Sequence, residues 1–261
     1  MSATVRDCLY GQAVGDALGV PYEFRERGTF ECRGMVGHGT HDQPAGTWSD
    51  DTSMALAVCD SYRRLGRVDE GDIRARFLAW YEDDAYTCDR LFDVGNATAT
   101  ALRLGHGLAG ERDNGNGSLM RTVPLAFTDA SDDDVRAVSA ITHAHPTSVE
   151  ACVDMVHAAR ALLRGGSPRE VASAYVDVDL PEDRVSSSGY VLSTFVASLW
   201  CLANTDDYAS CVLRAVNLGD DTDTTAAVAG ALAGIVYGIG GIPSEWVSAL
   251  RGRQVIDACL F

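Results

Sequence analysis

The chain has 261 residues, of which 46% are hydrophobic and 22% charged, a composition typical of a globular protein and unlike a disordered or collagen-like one. Its formal net charge is −16 at pH 7, and every one of its basic residues other than histidine is arginine. So acidic a surface repels phosphate backbones and anionic lipids, so we expect neither a nucleic-acid surface nor a membrane contact. Scattered cysteines without a CxxC pair indicate reduced thiols, and we expect a soluble, cytoplasmic protein.

Helical periodicity dominates the chain. Taken in order, apolar residues recur at helical spacing in segments 54–65, 73–81, 97–104, 149–163, 191–203, 208–218 and 224–237. Gly66 and Gly165 follow two of these segments, as glycine often does at a helix end. Segment 174–180 alternates as a strand would, but it stands alone. The pattern predicts an all-α fold, and no linker divides residues 1–261 into separate domains.

Two predicted helices, 11–19 and 224–237, are rich in glycine. Glycine inside a helix costs about 1 kcal/mol relative to alanine, so its presence needs a reason. Gly230, Gly234 and Gly238 recur every four residues, a spacing that allows two backbones to approach closely. We therefore expect these two helices to be central.

Two clusters of acidic and hydroxyl residues lie at the starts of predicted helices. The first is Ser49, Asp50, Asp51 and Thr52, and the second spans residues 220–224. One or two such residues would cap a helix, but each cluster supplies at least four. Adjacent carboxylates repel one another unless a cation compensates, and oxygen ligands suit Mg²⁺ or Mn²⁺ better than zinc. The clusters predict a site for two divalent cations that activate a water.

A glycine loop and two histidines are candidate contacts for a polyhydroxylated or phosphorylated ligand. Residues 114–121 read Asn-Gly-Asn-Gly-Ser-Leu-Met-Arg, and glycine lets backbone N–H groups reach a phosphate. A plain turn is the alternative. His143 and His145 could bind metal, transfer a proton or contact a ligand, but an ordinary packed or surface histidine explains either one at least as well.

Two further acidic positions could take part in chemistry. Asp93, followed by Asn96, opens the predicted helix 97–104, where an N-cap is the alternative explanation. Glu23 lies in an apolar turn that contains proline. An isolated glutamate there is usually exposed, whereas a buried one would be poised to act as a general base.

Taken together, six motifs in this order resemble the ADP-ribosylglycohydrolase family. They are 11–19 with Glu23, 48–52, 92–96, 115–121, 142–146, and 217–224 with the helix that continues to Tyr237. The resemblance spans nearly the whole chain and implies a single orthogonal multi-helix domain with a two-metal site at helix N-termini. Asp220 departs from the pattern, because many members have glycine there, and adds a charge beside the site.

The resemblance also implies roles for individual residues. The metal ligands would be Ser49, Asp50, Asp51, Asp221, Asp223 and Thr224, holding two Mg²⁺ or Mn²⁺ ions. The substrate contacts would be Asn96, Gly115, Asn116, Gly117, Ser118, Met120, His145 and Tyr237. Asp93 and Glu23 would be catalytic, with Asp93 the preferred general base.

The implied reaction is metal-dependent hydrolysis that removes ADP-ribose from an acceptor, most often through the N-glycosidic bond to a protein arginine. Serine-linked or small-molecule ADP-ribose is an alternative substrate, and a non-catalytic protein that binds ADP-ribose or blocks a toxin is an alternative function. An isoprenoid synthase also uses aspartate-rich helices, but its Asp-Asp-x-x-Asp spacing is missing here. We expect a monomer whose partner is an ADP-ribosylated protein or small molecule.

Overall fold

The computed structural model describes residues 3–261, and helices supply the regular structure of this range. The α-helices are α1 (Val5–Gly19), α2 (Asp50–Leu65), α3 (Glu70–Asp83), α4 (Asn96–Leu104), α5 (Asp132–Ala140), α6 (Pro146–Leu163), α7 (Pro168–Ser173), α8 (Val191–Ala203), α9 (Tyr208–Asn217), α10 (Thr222–Tyr237), α11 (Ser244–Ala249) and α12 (Arg253–Cys259). Pairing between extended segments is limited, within residues 3–261, to isolated bridges. The predicted all-α fold is confirmed.

The glycine-rich helices α1 and α10 form the centre of the molecule and are buried along nearly their whole length. A Cβ atom on Gly11 would lie 2.3 Å from the carbonyl oxygen of Gly230, and one on Gly15 would lie 2.1 Å from that of Ala226. No side chain larger than hydrogen fits at such distances, so glycine permits this close approach. Helices α2, α6, α8 and α9 pack around the pair. The prediction that these two helices are central is confirmed.

Both acidic clusters lie in the first turns of helices. Ser49 caps α2, and its hydroxyl accepts a hydrogen bond from the Asp51 amide. The helix then runs to Gly66, whose φ of 65° is the left-handed conformation that glycine favours at a helix end. α2 and α10 begin a few residues earlier than their apolar patterns suggest, because polar residues form their first turns.

Segment 174–180 alternates like a strand but forms turns. Side chains from the end of α8 and its C-cap satisfy two of its carbonyls: Trp200 donates from Nε1 to the Leu180 carbonyl at 2.9 Å, and the C-cap residue Asn204 donates from Nδ2 to the Val178 carbonyl at 3.0 Å. The alternation therefore reflects two valines that pack inward, without a partner strand.

Contacts between helix ends bring the two acidic clusters together. The Thr222 hydroxyl at the start of α10 donates to the carbonyl of Gly19 at the end of α1, at 2.8 Å. From within α1, Gln12 donates to the carbonyls of Asp51 and Met120 at 3.0 and 2.8 Å. None of the helices in the described range is both long enough and apolar enough to cross a membrane.

Candidate active site

A cavity of about 260 Å³ lies where the first turns of α2, α4 and α10 meet the segment that follows α1. Its lining includes eleven of the residues singled out in the sequence: Glu23, Asp50, Asp93, Asn96, Gly115, Asn116, Gly117, Met120, His143, Asp221 and Thr224. Residues separated by about two hundred positions in the chain therefore share one small volume.

Three buried carboxylates lie side by side beneath this cavity. One carboxylate oxygen from each of Asp16, Asp51 and Asp223 lies within 4.8 Å of the other two. A second such group joins Asp223 to Asp221 and Glu23, so the acids form a continuous chain. Burial raises the pKa of Asp51 and Asp223 well above the ordinary value, and the neighbouring negative charges raise it further.

The carboxylate oxygens are not all used by the protein. Among residues 3–261, Asp51 Oδ1, Asp221 Oδ1 and Asp223 Oδ2 are buried and have no hydrogen-bond donor. A buried carboxylate oxygen without a partner is costly, and a cation would satisfy several at once. Oxygen donors of this kind fit a hard divalent cation such as Mg²⁺ or Mn²⁺. The residues present can therefore hold such an ion.

Asp16 differs from its two neighbours because both of its oxygens are occupied. Its carboxylate accepts the backbone N–H of Ser49 at 2.9 Å and the backbone N–H and hydroxyl of Thr52 at 3.0 and 2.6 Å. Burial raises its pKa to about 6. These bonds fix the first turn of α2, so Asp16 orients Asp51 from behind.

Glu23, Asp93 and His41 form a group at the mouth of the cavity. Glu23 is only 5% exposed and is hydrogen-bonded to the His41 ring, and the three side chains lie within 4.8 Å of one another. Burial raises the pKa of Glu23 to about 7 despite that bond, and it also raises the pKa of Asp93. Gly95, not Asp93, occupies the N-cap position of α4, so the Asp93 carboxylate is free for another role.

The glycine loop forms the wall opposite these acids. A Cβ atom on Gly117 would lie 2.7 Å from Cε1 of His143, so only glycine fits against this ring. Asn116 links the loop to the acidic cluster, because its side-chain amide donates to Asp221 Oδ2 at 2.7 Å. Within residues 3–261, the backbone N–H groups of Gly117 and Ser118 have no protein acceptor. Gly117 lines the cavity, so its N–H group is available to an anionic ligand, whereas Ser118 is fully buried and does not line the cavity.

Nearly the whole sequence matches a family model: residues 2–260 fit the model described as ADP-ribosylglycohydrolase. The chain belongs to the ADP-ribosylglycohydrolase family. It is also similar to a solved structure titled ADP-ribosylglycohydrolase-related protein complex, with a TM-score of 0.82 and 34% identity over 98% of this chain and 95% of that one. The resemblance inferred from the motifs is confirmed.

Named relatives in this family are hydrolases. The chain is 35% identical to ADP-ribosylarginine hydrolase Tri1 of Pseudomonas putida, over 97% of this chain and 75% of that protein. It is also 35% identical to the ADP-ribosyl-[dinitrogen reductase] glycohydrolase of Rhodospirillum rubrum, over 96% and 93%. Human ADP-ribosylhydrolase ARH3 matches at 24% identity over 97% and 90%. The protein is accordingly an ADP-ribosyl glycohydrolase.

Three predicted substrate contacts of this ADP-ribosylglycohydrolase do not reach the cavity with their side chains. His145 caps α6, and its Nδ1 accepts the Thr147 amide at 3.2 Å, whereas His143 lines the cavity. Tyr237 lies at the far end of α10 and donates its hydroxyl to the Thr205 carbonyl at 3.3 Å. The Ser118 hydroxyl is buried, 2.9 Å from that of Ser139. In each case, another residue of the same motif lines the cavity.

Sequence reasoning left three contributing residues without a role. Asp16 lies within the first motif, but its place beside Asp51 depends on how α1 packs against α2. His41 comes from the loop 34–46 that has no helical pattern, and Phe24, which lines the cavity, follows Glu23 directly. Asp220, expected as an extra charge beside the site, is exposed and does not line the cavity.

Proposed function

We propose that this enzyme is a metal-dependent hydrolase that removes ADP-ribose from arginine side chains of modified proteins. The observation that carries this proposal is the charge of the cavity: its lining includes the carboxyl groups of Glu23, Asp50, Asp93 and Asp221 and no arginine. Burial lowers the pKa of His143, the one histidine in the lining, to about 3, so its ring is neutral at pH 7.

A negative cavity favours a cationic acceptor. The guanidinium group of arginine keeps its charge at all physiological pH values and presents planar N–H donors that match carboxylates. A serine hydroxyl is neutral and gains no such attraction. The name of one relative specifies ADP-ribosylarginine and supports the same acceptor class, and the name of a second specifies an ADP-ribosylated reductase and supports a protein substrate.

We further propose that Ser49, Asp50, Asp51, Asp221, Asp223 and Thr224 hold two divalent cations, Mg²⁺ or Mn²⁺. Three of these residues carry the unpartnered oxygens described above. When bound, the cations would neutralise the acidic cluster, bind the ribose hydroxyls and lower the pKa of a water. Asp16 positions Asp51 and is not assigned as a ligand, because its oxygens are already hydrogen-bonded.

The glycine loop is proposed to bind the diphosphate of ADP-ribose. No arginine lines the cavity, so donors to the diphosphate would come from the backbone and from neutral side chains. The N–H group of Gly117, which has no backbone acceptor, can supply one, and Gly115, Asn116 and Met120 line the same wall. Asn96, at the start of α4, would contact the ribose.

In the proposed reaction the bond between ribose C1 and the guanidine nitrogen breaks, and its electron pair leaves with neutral guanidine. Positive charge then develops on C1 and the ring oxygen, where the carboxylates of Asp93 and Glu23 stabilise it. Water attacks C1, and Asp93 accepts its proton. Asp93 is the better base because His41 already engages Glu23. The proton then passes to the released guanidine, so the products are ADP-ribose and unmodified arginine.

We also propose that residues 1–261 act as one ADP-ribosylglycohydrolase domain, working as a monomer in the cytoplasm. The family match over nearly the whole chain supports the single domain. The net charge of −16 supports a protein partner over nucleic acid or an anionic membrane. Serine-linked or small-molecule substrates, and a role in binding ADP-ribose or blocking a toxin, are the alternatives.

The acceptor is tested by following release of ADP-ribose from peptides modified at arginine or at serine. We expect the wild-type enzyme to act on the arginine-linked peptide, and Asp93→Asn to lower kcat by at least about 100-fold while ADP-ribose still binds. Preference for the serine-linked peptide would overturn the arginine assignment. Binding of ADP-ribose without release from either peptide would favour a non-catalytic role.

A further inference from the structure

The mouth of the cavity carries an exposed aromatic ring. Phe24 lines the cavity directly after Glu23, yet it is 70% exposed, more than any other large hydrophobic residue in the described range. A single exposed phenylalanine needs no explanation on a protein surface. This one does, because of its backbone conformation and its surroundings.

The backbone of Phe24 is held in a conformation that bulky residues rarely adopt. Its φ is 63°, in the left-handed region, which costs about 1 kcal/mol or more for a residue with a side chain. Two hydrogen bonds fix the segment: the Phe24 amide donates to the Asp220 carbonyl at 2.7 Å, and the Asp220 amide donates to the Arg25 carbonyl at 2.9 Å. Strain maintained in this way is typical of functional positions.

The Phe24 ring is not part of the aromatic stack formed by its neighbours. Tyr22 and Phe30 stack at 4.7 Å between ring centroids, and the Arg25 guanidinium lies 5.1 Å from the Phe30 centroid. That pair is already covered by a cation from the protein itself. Among residues 3–261, no arginine guanidinium lies over the Phe24 ring.

The free ring stands beside the acids that would face a cationic acceptor. The Phe24 centroid lies 6.1 Å from that of His41, which is hydrogen-bonded to Glu23, and His41 lies 5.4 Å from Phe92, the neighbour of Asp93. An aromatic face next to carboxylates is a favourable place for a planar cation, because the ring quadrupole and the negative charges both attract it.

We propose that Phe24 determines acceptor specificity by stacking against the guanidinium of the modified arginine. This inference rests on the proposed arginine specificity and assigns that specificity to one side chain. Phe24 contacts the acceptor and not ADP-ribose, so it should affect cleavage of arginine-linked substrates without affecting binding of the product ADP-ribose.

The test compares Phe24→Ala, Phe24→Leu and Phe24→Trp on an arginine-linked peptide. We expect kcat/KM to fall by about 3- to 30-fold for Ala and Leu, the range of a cation–π contact, and to be retained with Trp. Phe24→Leu separates the aromatic face from mere apolar contact. Leu104→Ala, an exposed residue 57% accessible and outside the cavity lining, is the matched control and should leave kcat/KM unchanged.

Binding of free ADP-ribose, measured by calorimetry, supplies the second readout. It should be equal in the wild type and in all three Phe24 variants. Wild-type kcat/KM in the Ala and Leu variants would overturn this inference while leaving the arginine hydrolase intact, and so would an equal loss of affinity for free ADP-ribose. A wild-type enzyme that does not cleave arginine linkages would instead overturn the proposed function.

Discussion

Individual carboxylates of the site lie where, without a bound cation, they destabilise the folded protein. Asp16, Asp51 and Asp223 are each no more than 1% exposed, and their oxygens lie within 4.8 Å of one another. Their raised pKa values mean that ionising them in the folded protein costs free energy. Evolution tolerates such an arrangement where function requires it, and a bound cation would remove the cost.

Asp51→Asn distinguishes the destabilisation that this cluster causes from its ability to bind metal. The amide removes one buried charge and can donate to a neighbouring carboxylate. Without metal, we therefore expect the free energy of unfolding of the variant to exceed that of the wild type by about 1–2 kcal/mol. The stabilisation that Mg²⁺ or Mn²⁺ gives to the wild type should be lost. Thermal unfolding with and without metal measures both effects.

Asp220→Asn is the matched control for that experiment. Asp220 is exposed, lies next to the site in sequence, and has a φ of 56°, which asparagine also tolerates. Its variant should stay within about 0.5 kcal/mol of wild type and keep its response to metal. A similar gain in both variants would mean that overall charge, and not the buried cluster, sets the stability.

His143 makes a separate contribution to the dependence of stability on pH. Burial lowers its folded-state pKa to about 3, and the unfolded chain has an ordinary histidine value of about 6.5. Below pH 6.5 only the unfolded state gains a proton there, so the folded state loses stability as pH falls.

His143→Gln removes this term. We compare the free energy of unfolding of the wild type with that of the variant. The difference between them should decrease by about 2 kcal/mol as the pH falls from 7.5 to 5. Denaturant unfolding of both proteins at the two pH values measures the difference. A pH-independent gap between them would show that the imidazole is protonated in the folded state as readily as in the unfolded chain.

At the scale of helices, glycine determines how closely α1 and α10 approach, and this contact aligns their acids. Both helices also carry residues of the carboxylate cluster, Asp16 on α1 and Asp223 on α10. Any change in the distance between the helices therefore moves two of the three buried acids.

Gly11→Ala tests this contact. The new Cβ would meet the Gly230 carbonyl oxygen at 2.3 Å, so we expect a loss of about 3 kcal/mol in the free energy of unfolding, together with weaker metal binding. Gly71→Ala is the control, because its Cβ in α3 would lie 3.4 Å from its nearest neighbour, Asp69 Oδ1. That variant should be stabilised by up to about 1 kcal/mol. Equal responses would contradict the importance of the close approach.

Local patterns predict eight of the twelve α-helices in residues 3–261, because these bury an apolar face, are rich in glycine or end at a glycine such as Gly66. The patterns do not predict α5, α7, α11 and α12, which have nine residues or fewer each. The same patterns place the starts of α2 and α10 too late, because the first turns of these helices are polar. They also suggest a strand at 174–180, where side chains from the end of α8 and its C-cap provide the hydrogen bonds that a partner strand would otherwise make. Acidic clusters at helix N-termini predict several of the carboxylates that lie in or beside the candidate cavity. Asp16 and His41 escape sequence reasoning because their roles depend on contacts between distant segments.

For the molecule as a whole, the charge distribution connects fold to function. The net charge is −16, and the cavity concentrates carboxylates from α2, the N-cap of α10 and the loops after α1 and before α4. A metal-free site of this kind would repel the diphosphate of ADP-ribose. We therefore predict that this ADP-ribosyl glycohydrolase needs both divalent cations and a cationic acceptor to act.

The most direct measurement is the initial rate of ADP-ribose release from an arginine-linked peptide by the EDTA-treated enzyme as Mg²⁺ or Mn²⁺ is added back. We predict no release without metal, saturable recovery in the wild type and in Asp220→Asn, and no recovery in Asp51→Asn. Release at the full rate in EDTA, or full recovery in Asp51→Asn, would contradict the claim that this acidic cluster holds the catalytic cations.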